Sequence, residues 1–208
     1  MIQPMVSVAI VDYGLANLRS ILNALSCFDV TVRLAESGGD LAQADKIVLP
    51  GVGAFDKAME GLRGRGHEAA LNEAVQGRGV PFLGICLGLQ VLFERSEEGQ
   101  GRGLGWLAGT VRRFSAAEVK VPHIGWEATE MKPGARLFAG LQNPSDFYFV
   151  HSYYAPNEGE AAAAASGVCR YGSGFVAALE RDNIFAVQFH PEKSQLAGLR
   201  LIQNFLTL

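Results

Sequence analysis

The chain has 208 residues, 49% of them hydrophobic and 19% charged, with a net charge of −3 at pH 7. That length suits a single domain, residues 1–208, with enough chain for a substantial core. The mild negative charge gives no footprint for nucleic acid or an anionic membrane surface, no apolar run is long enough to span a bilayer, and no basic-then-apolar leader opens the chain.

Residues 6–11 are apolar and predict a buried first strand, closed by Asp12-Tyr13-Gly14. Leu18, Ile21, Leu22 and Leu25 then recur at helical spacing over 17–25. Residues 31–34 and 47–49 read as the second and third strands, the latter stopped by Pro50-Gly51-Val52-Gly53. Helical patterns follow over 55–62 and 68–75. The apolar run after Pro81 predicts a central parallel strand ending at Cys86, after which the spacing turns helical. This alternation predicts an α/β fold with a mostly parallel central sheet flanked by helices. Residues 96–105, rich in Gly, Glu and Arg, read as a loop. Beyond them, 110–114, 124–127, 147–153, 168–171, 175–180 and 184–189 read as short strands, so antiparallel strands should be added on one flank in the C-terminal half. Ala161 to Ala165 permit helix but lie between Gly159 and Gly167, which favours a loop or a single turn. Residues 196–208 close the chain as a helix.

Gly84-Ile85-Cys86-Leu87-Gly88 sits where the central strand gives way to helix. Gly-x-Ser-x-Gly at such a place forms a nucleophile elbow, a sharp turn that lifts the central side chain above the sheet edge. Glycines are expected there because larger side chains would collide with the turn. A helix N-terminus favours thiolate over thiol, and thiolate is the nucleophile. The Leu87 N–H would face the oxyanion that forms when the sulfur attacks a carbonyl. Gln90, four residues on, shares a helical face with Cys86 and is placed to hold a substrate.

His190 follows the apolar strand 184–189 and opens His190-Pro191-Glu192. Pro191 biases His190 toward an extended conformation, in which residues i and i+2 project to one side. His190 and Glu192 then form an imidazole–carboxylate pair, and with Cys86 they complete a nucleophile, a general base and an orienting acid. Alternation puts His151 and Ser152 on opposite faces of a strand, so one of them lines the site. His67, in a polar Gly/Arg-rich connection, reads as solvated surface, and Cys27 and Cys169 read as core thiols. Three separated cysteines form neither a disulfide framework nor a metal site, which fits a reducing cytoplasm; no metal and no cofactor are expected. The Pro50-Gly51-Val52-Gly53-Ala54-Phe55 loop can offer a backbone N–H or bind phosphate. It lacks the Lys-Ser/Thr ending of a P-loop, which favours a second oxyanion donor at Val52, with Gly51 and Gly53 beside the substrate.

Gly84-Ile85-Cys86-Leu87-Gly88-Leu89-Gln90 together with His190-Pro191-Glu192 resembles the class I, triad-type glutamine amidotransferases. The further stretches Pro50 to Phe55, Pro122-His123-Ile124-Gly125-Trp126, Tyr148 to Tyr153, His190 to Ser194, and Asp12-Tyr13-Gly14 with Asn17 are similar to the branch of that family that serves imidazole glycerol phosphate formation in histidine biosynthesis. The resemblance spans nearly the whole chain. It implies hydrolysis of L-glutamine through a thioester on Cys86 and delivery of ammonia to a separate (β/α)₈ cyclase subunit. It places Trp126 and Lys193 at that subunit contact, with Asp12 and Asn17 nearby. Ala16 and Glu127 depart from the branch pattern, which often has Gly and commonly Asn there; both bear on the contact or its support shell rather than on the triad. Two other readings are a glutaminase serving pyridoxal phosphate or anthranilate synthesis and a non-catalytic scaffold. Pro50-Gly51-Val52-Gly53 argues against the first, and the intact Cys86, His190 and Glu192 against the second.

Overall fold

A computed structural model describes residues 5–208. In the first half, β1 (Ser7–Val11), β2 (Thr31–Ala35), β3 (Lys46–Gly51) and β4 (Phe82–Cys86) alternate with α1 (Leu18–Leu25), α2 (Phe55–Gly64) and α3 (His67–Leu71), which widens into π turns over Asn72–Gly77. A one-turn α4 (Leu87–Gln90) leads into β5 (Phe93–Ser96). The second half holds β6 (Leu107–Arg113), β7 (His123–Met131), β8 (Ser145–His151), β9 (Tyr153–Tyr154), α5 (Gly159–Ala164), β10 (Ala165–Cys169), β11 (Phe175–Arg181), β12 (Ile184–Val187) and α6 (Gln195–Thr207).

Nine strands form one sheet in the order β2-β1-β3-β4-β12-β11-β10-β7-β8. The first five are mutually parallel, and the other four are added antiparallel. A small three-stranded sheet, β5-β6-β9, packs beside it. Apart from the half-exposed edge strand β2, the parallel strands are buried on both faces, so they read as largely continuous apolar runs. Ala9, Val11, Ile47 and Leu49 face one core with Phe55, Leu62 and Leu71 of α2 and α3. Val8, Ile10, Val48, Leu83 and Ile85 face the other with Ile21, Leu25, Leu201 and Phe205 of α1 and α6. Each such side chain contributes about 1.5–3 kcal/mol when fully buried.

Register places the ends of three strands together. Gly51 pairs with Cys86 across β3 and β4, and Val187 pairs with Ile85 across β12 and β4. The residues that follow β12 therefore emerge beside Cys86, at the carboxyl edge where open α/β sheets bind ligands.

Several sequence expectations need correction. The helix after Cys86 is a single turn, because the chain must reach β5 by Phe93. Residues 159–164 form a helix, and Ala165 already belongs to a strand. His67 is fully buried rather than solvated, with Nε2 3.2 Å from the Asp12 carbonyl oxygen. Cys27 is exposed, whereas Cys169 is buried as expected.

The glycines around Cys86 are required by backbone contact. A Cβ on Gly84 would lie 2.6 Å from the Gly88 carbonyl oxygen, and one on Gly88 only 1.9 Å from the Leu49 carbonyl oxygen. Neither neighbour is a flexible side chain, so strand β3 itself would have to move. Gly88→Ala should lower stability by about 3 kcal/mol in urea unfolding. Gly77→Ala, which meets nothing closer than 3.9 Å, should stay within about 0.5 kcal/mol of the parent. Equal midpoints for the two variants would contradict the close approach.

Candidate active site

Cys86 is the last residue of β4 and has φ 56° and ψ −106°, a backbone conformation that costs a non-glycine residue of order 1–3 kcal/mol. Such strain at a single buried cysteine marks the turn that aims its side chain over the sheet edge. The one-turn α4 has little dipole to offer the sulfur, so a charged neighbour for it must come from a side chain.

His190 supplies it. Its Nδ1 lies 2.8 Å from Glu192 Oε1, and the two side chains are 3% and 2% exposed. The pair forms through a 3₁₀ turn over Pro191–Lys193 rather than a fully extended segment. Ser194 locks that turn: its hydroxyl donates to the His190 carbonyl at 2.6 Å and accepts from the Tyr148 N–H at 3.0 Å. Burial opposes charge on the ring, but the Cys86 sulfur and then Glu192 outweigh it, and His190 is pushed up to about 10. His190 Nε2 is buried and makes no hydrogen bond. With Nδ1 held by Glu192, Nε2 is the nitrogen left to exchange a proton with the sulfur or a ligand.

A cavity of about 250 Å³ opens beside the sulfur, lined by Val52, Gly53, Cys86, Leu87, Gln90, Glu98, Val150, His151, Ser152 and Tyr153. A larger one, about 560 Å³, lies away from it between Ser37, Arg65 and Arg78 and is lined by neither cysteine nor histidine. Gln90 is buried, and its Nε2 donates to the Tyr153 carbonyl at 2.9 Å and to Gln188 Oε1 at 3.1 Å. Gly51 ends β3 opposite Cys86. The Val52 N–H, expected to serve the oxyanion, instead donates to the Leu15 carbonyl at 3.0 Å. That peptide is held by the 12–17 loop and is not offered to the cavity.

His151 reaches the cavity wall, but its ring is already committed. Its Nδ1 is 2.8 Å from the Tyr153 carbonyl oxygen and its Nε2 3.0 Å from His123 Nδ1. The carbonyl can only accept, so His151 Nδ1 carries the proton and His151 Nε2 accepts from His123. Burial drives His151 down to about 3 and His123 down to about 4. The two rings are therefore a neutral structural pair, and Ser152 lines the cavity beside them.

Glu98 was missed in the sequence, where its Gly-, Glu- and Arg-rich surroundings look like plain loop. It lines the cavity, and its Oε2 accepts from the Phe55 N–H at 2.8 Å, capping α2. Burial raises its carboxyl above the usual range. Asp56 fixes the loop beyond it by accepting from the Gln100 and Gly101 N–H groups, both at 3.0 Å. No period or motif marks Glu98 in the sequence; only the fold brings it beside the cysteine turn.

The residues expected at a partner contact lie at the surface. Trp126 is 47% and Ile124 57% exposed on β7. Trp126 meets Tyr148 edge-on at 6.0 Å, and Lys193 Nζ sits 5.9 Å over the Tyr148 ring. Asn17 is exposed, and Asp12 accepts from the Gly14 N–H at 2.9 Å. Among the described residues, no cluster of three or more His, Cys, Asp or Glu is placed to hold a metal, and no helix is long and apolar enough to cross a membrane.

The family model for glutamine amidotransferase class-I matches residues 9–208. The chain is 48% identical over 201 residues to imidazole glycerol phosphate synthase subunit HisH of Moorella thermoacetica, covering 95% of this chain and 93% of that protein. It is 42% identical to subunit HisH 2 of Pseudomonas aeruginosa, covering 97% and 99%. Among solved structures, a glutamine amidotransferase superposes with TM-score 0.72 at 20% identity, covering 96% of this chain and 97% of that one. A glutamine amidotransferase from Thermotoga maritima superposes with TM-score 0.60 at 17% identity, covering 98% and 83%.

The histidine pair generates a pH prediction. Both folded-state values lie below the ordinary 6.5, so the unfolded chain binds more protons below that pH. Stability should fall as pH drops from about 6.5 toward 4, by at most about 2 kcal/mol per histidine at pH 5. In an NMR titration the His123 and His151 rings should stay neutral at about pH 5. Titration of either at its ordinary value would contradict the buried pair.

Proposed function

This chain belongs to the class-I glutamine amidotransferase family, and from that premise we propose that Cys86 is its nucleophile, His190 its general acid–base and Glu192 the orienting carboxylate. The reaction is hydrolysis of L-glutamine to glutamate and ammonia, in the service of imidazole glycerol phosphate synthesis and so of histidine biosynthesis. The observation that carries the assignment is the buried His190–Glu192 pair, 2.8 Å apart, delivered by β12 beside a cysteine at the end of β4.

The Cys86 thiolate attacks the side-chain amide carbon of glutamine, and the carbonyl oxygen takes up the negative charge. Imidazolium His190 protonates the amide nitrogen, the C–N bond breaks, and ammonia leaves a γ-glutamyl thioester. Neutral His190 then takes a proton from water, whose oxygen attacks the thioester carbon and releases glutamate and the thiolate. Glu192 keeps Nδ1 protonated throughout and stabilises the imidazolium. Gln90 Oε1 is left free to accept from the substrate amide, because both hydrogens of its Nε2 are already used. Glu98 and Ser152 receive the α-ammonium and α-carboxylate ends. Gly53 keeps the opposite wall open to the scissile amide, whereas Gly51, expected beside the substrate, does not line the cavity: a Cβ there would meet Tyr13 and Leu87, so it lets β3 pass close to the cysteine turn.

Leu87 provides one oxyanion donor. The Val52 donor is held by Leu15, so its peptide must turn before the hole is complete, and a missing donor is worth about 10²–10³ in rate. The 12–17 loop that holds it carries Asp12 and Asn17, and the exposed Ile124, Trp126 and Lys193 complete a contact face. The partner we assign to that face is a (β/α)₈ cyclase subunit that receives the ammonia. The cytoplasm is the expected setting, in keeping with three unpaired cysteines.

Cys86→Ala should abolish glutamate release, and His190→Ala should lower it about 10²–10⁴-fold; full activity in either would refute the assignment. Glutaminase activity of the isolated chain should be low and rise at least about a hundredfold when the cyclase and its ligand are added. Equal activity with and without them would show that the Val52 peptide does not limit the rate.

A further inference from the structure

Gln188 enters the scheme above only as an acceptor for Gln90, yet it is completely buried, and a buried amide is costly unless its hydrogen bonds are made. Its N–H extends the β12 ladder by donating to the Ala177 carbonyl at 2.8 Å. Residues i and i+2 of an extended segment project to one side, so Gln188 and His190 reach the sulfur together. Phe189, between them, turns the other way and stacks on Phe147 at 3.9 Å.

The direction of the Gln188 amide is fixed by its neighbours. The Tyr153 carbonyl can only accept, so the Gln90 amide must turn its NH₂ toward it. The second hydrogen of that NH₂ goes to Gln188 Oε1 at 3.1 Å. With its oxygen so engaged, Gln188 points Nε2 at Cys86 Sγ, 3.6 Å away. Apart from His190, the sulfur's other polar contact is a long one, 4.0 Å to the Val150 carbonyl. That oxygen is an acceptor, so the contact vanishes when the thiol loses its proton. The contact from Gln188 strengthens instead, since hydrogen bonds to a charged acceptor are about twice as strong as neutral ones.

We infer that Gln188 is a dedicated N–H donor to the Cys86 thiolate, oriented by a relay running from the Tyr153 carbonyl through Gln90. It holds the sulfur between His190 and the cavity in the ionised state that attacks the substrate. The inference rests on Cys86 being the nucleophile.

The test is the rate of Cys86 alkylation by iodoacetamide as a function of pH, in the full chain carrying Cys27→Ser so that the exposed thiol does not report. Gln188→Glu keeps the size and the acceptor for Gln90 but puts an oxygen where the N–H points. It should move the alkylation profile to higher pH and lower the rate at neutral pH by about tenfold or more. Gln188→Met, which removes the amide, should shift the profile in the same direction by less. Circular dichroism and urea unfolding confirm that each variant is folded. kcat for glutamine should fall in step with the alkylation rate, while KM changes little. A folded Gln188→Glu or Gln188→Met with the parent's alkylation profile would overturn the relay. Glutamate release by Cys86→Ala in the same assay separates the two claims: if it persists, the nucleophile assignment fails, and if it is lost while the Gln188 variants behave as parent, only the relay fails.

Discussion

The site depends on one constraint, the parallel register of β4 with its neighbours β3 and β12. Gly51 is level with Cys86, and Val187 is level with Ile85. The sheet thereby brings together a sulfur and an imidazole that are distant in sequence. A one-residue slip would turn the inward side chains of that strand to the opposite face. The two apolar faces of the sheet forbid such a slip, because each already packs against helices. Core packing and catalytic geometry are thus set by the same strand pairing.

Much of this was legible in the residues. The Gly84-Ile85-Cys86-Leu87-Gly88 turn could be read as an elbow because glycine is needed only where backbones approach, and the contacts with Leu49 and Gly88 bear that out. The central parallel strands were legible as largely unbroken apolar runs, the edge strand β2 as a shorter mixed one, and the antiparallel flank as short strands between turns. The short α4 was not legible: Leu87, Leu89, Val91 and Leu92 suit a helix, but tertiary packing sends the chain into β5. His67 misled because its neighbours are polar and exposed while its own ring is buried. Glu98 stayed hidden because a loop acid carries no period, and only the Asp56 anchor and the α2 cap show where it points. Gln188 was passed over for a similar reason: one polar residue at a strand end is ambiguous until the atoms around it are known.

The electrostatics of the site come from side chains more than from a helix end. A buried imidazole is ordinarily hard to charge, and His123 and His151 show that rule. His190 departs from it because it meets a sulfur on one side and a carboxylate on the other. Two histidine environments within one strand cluster therefore run in opposite directions, a neutral pair that braces the cavity wall and a charged ring that serves the proposed chemistry. The Val52 N–H, through its hydrogen bond to the Leu15 carbonyl, ties the cavity wall to the surface loop carrying Asp12 and Asn17.

The claim on which the account stands is that glutamine is held covalently on the sulfur of Cys86 during turnover. Mass spectrometry of the enzyme, acid-quenched while hydrolysing glutamine, tests it directly. The account predicts a glutamyl adduct confined to the peptide containing Cys86, formed and lost with the kinetics of glutamate release. Turnover with no adduct there, or an adduct on another residue, would contradict it.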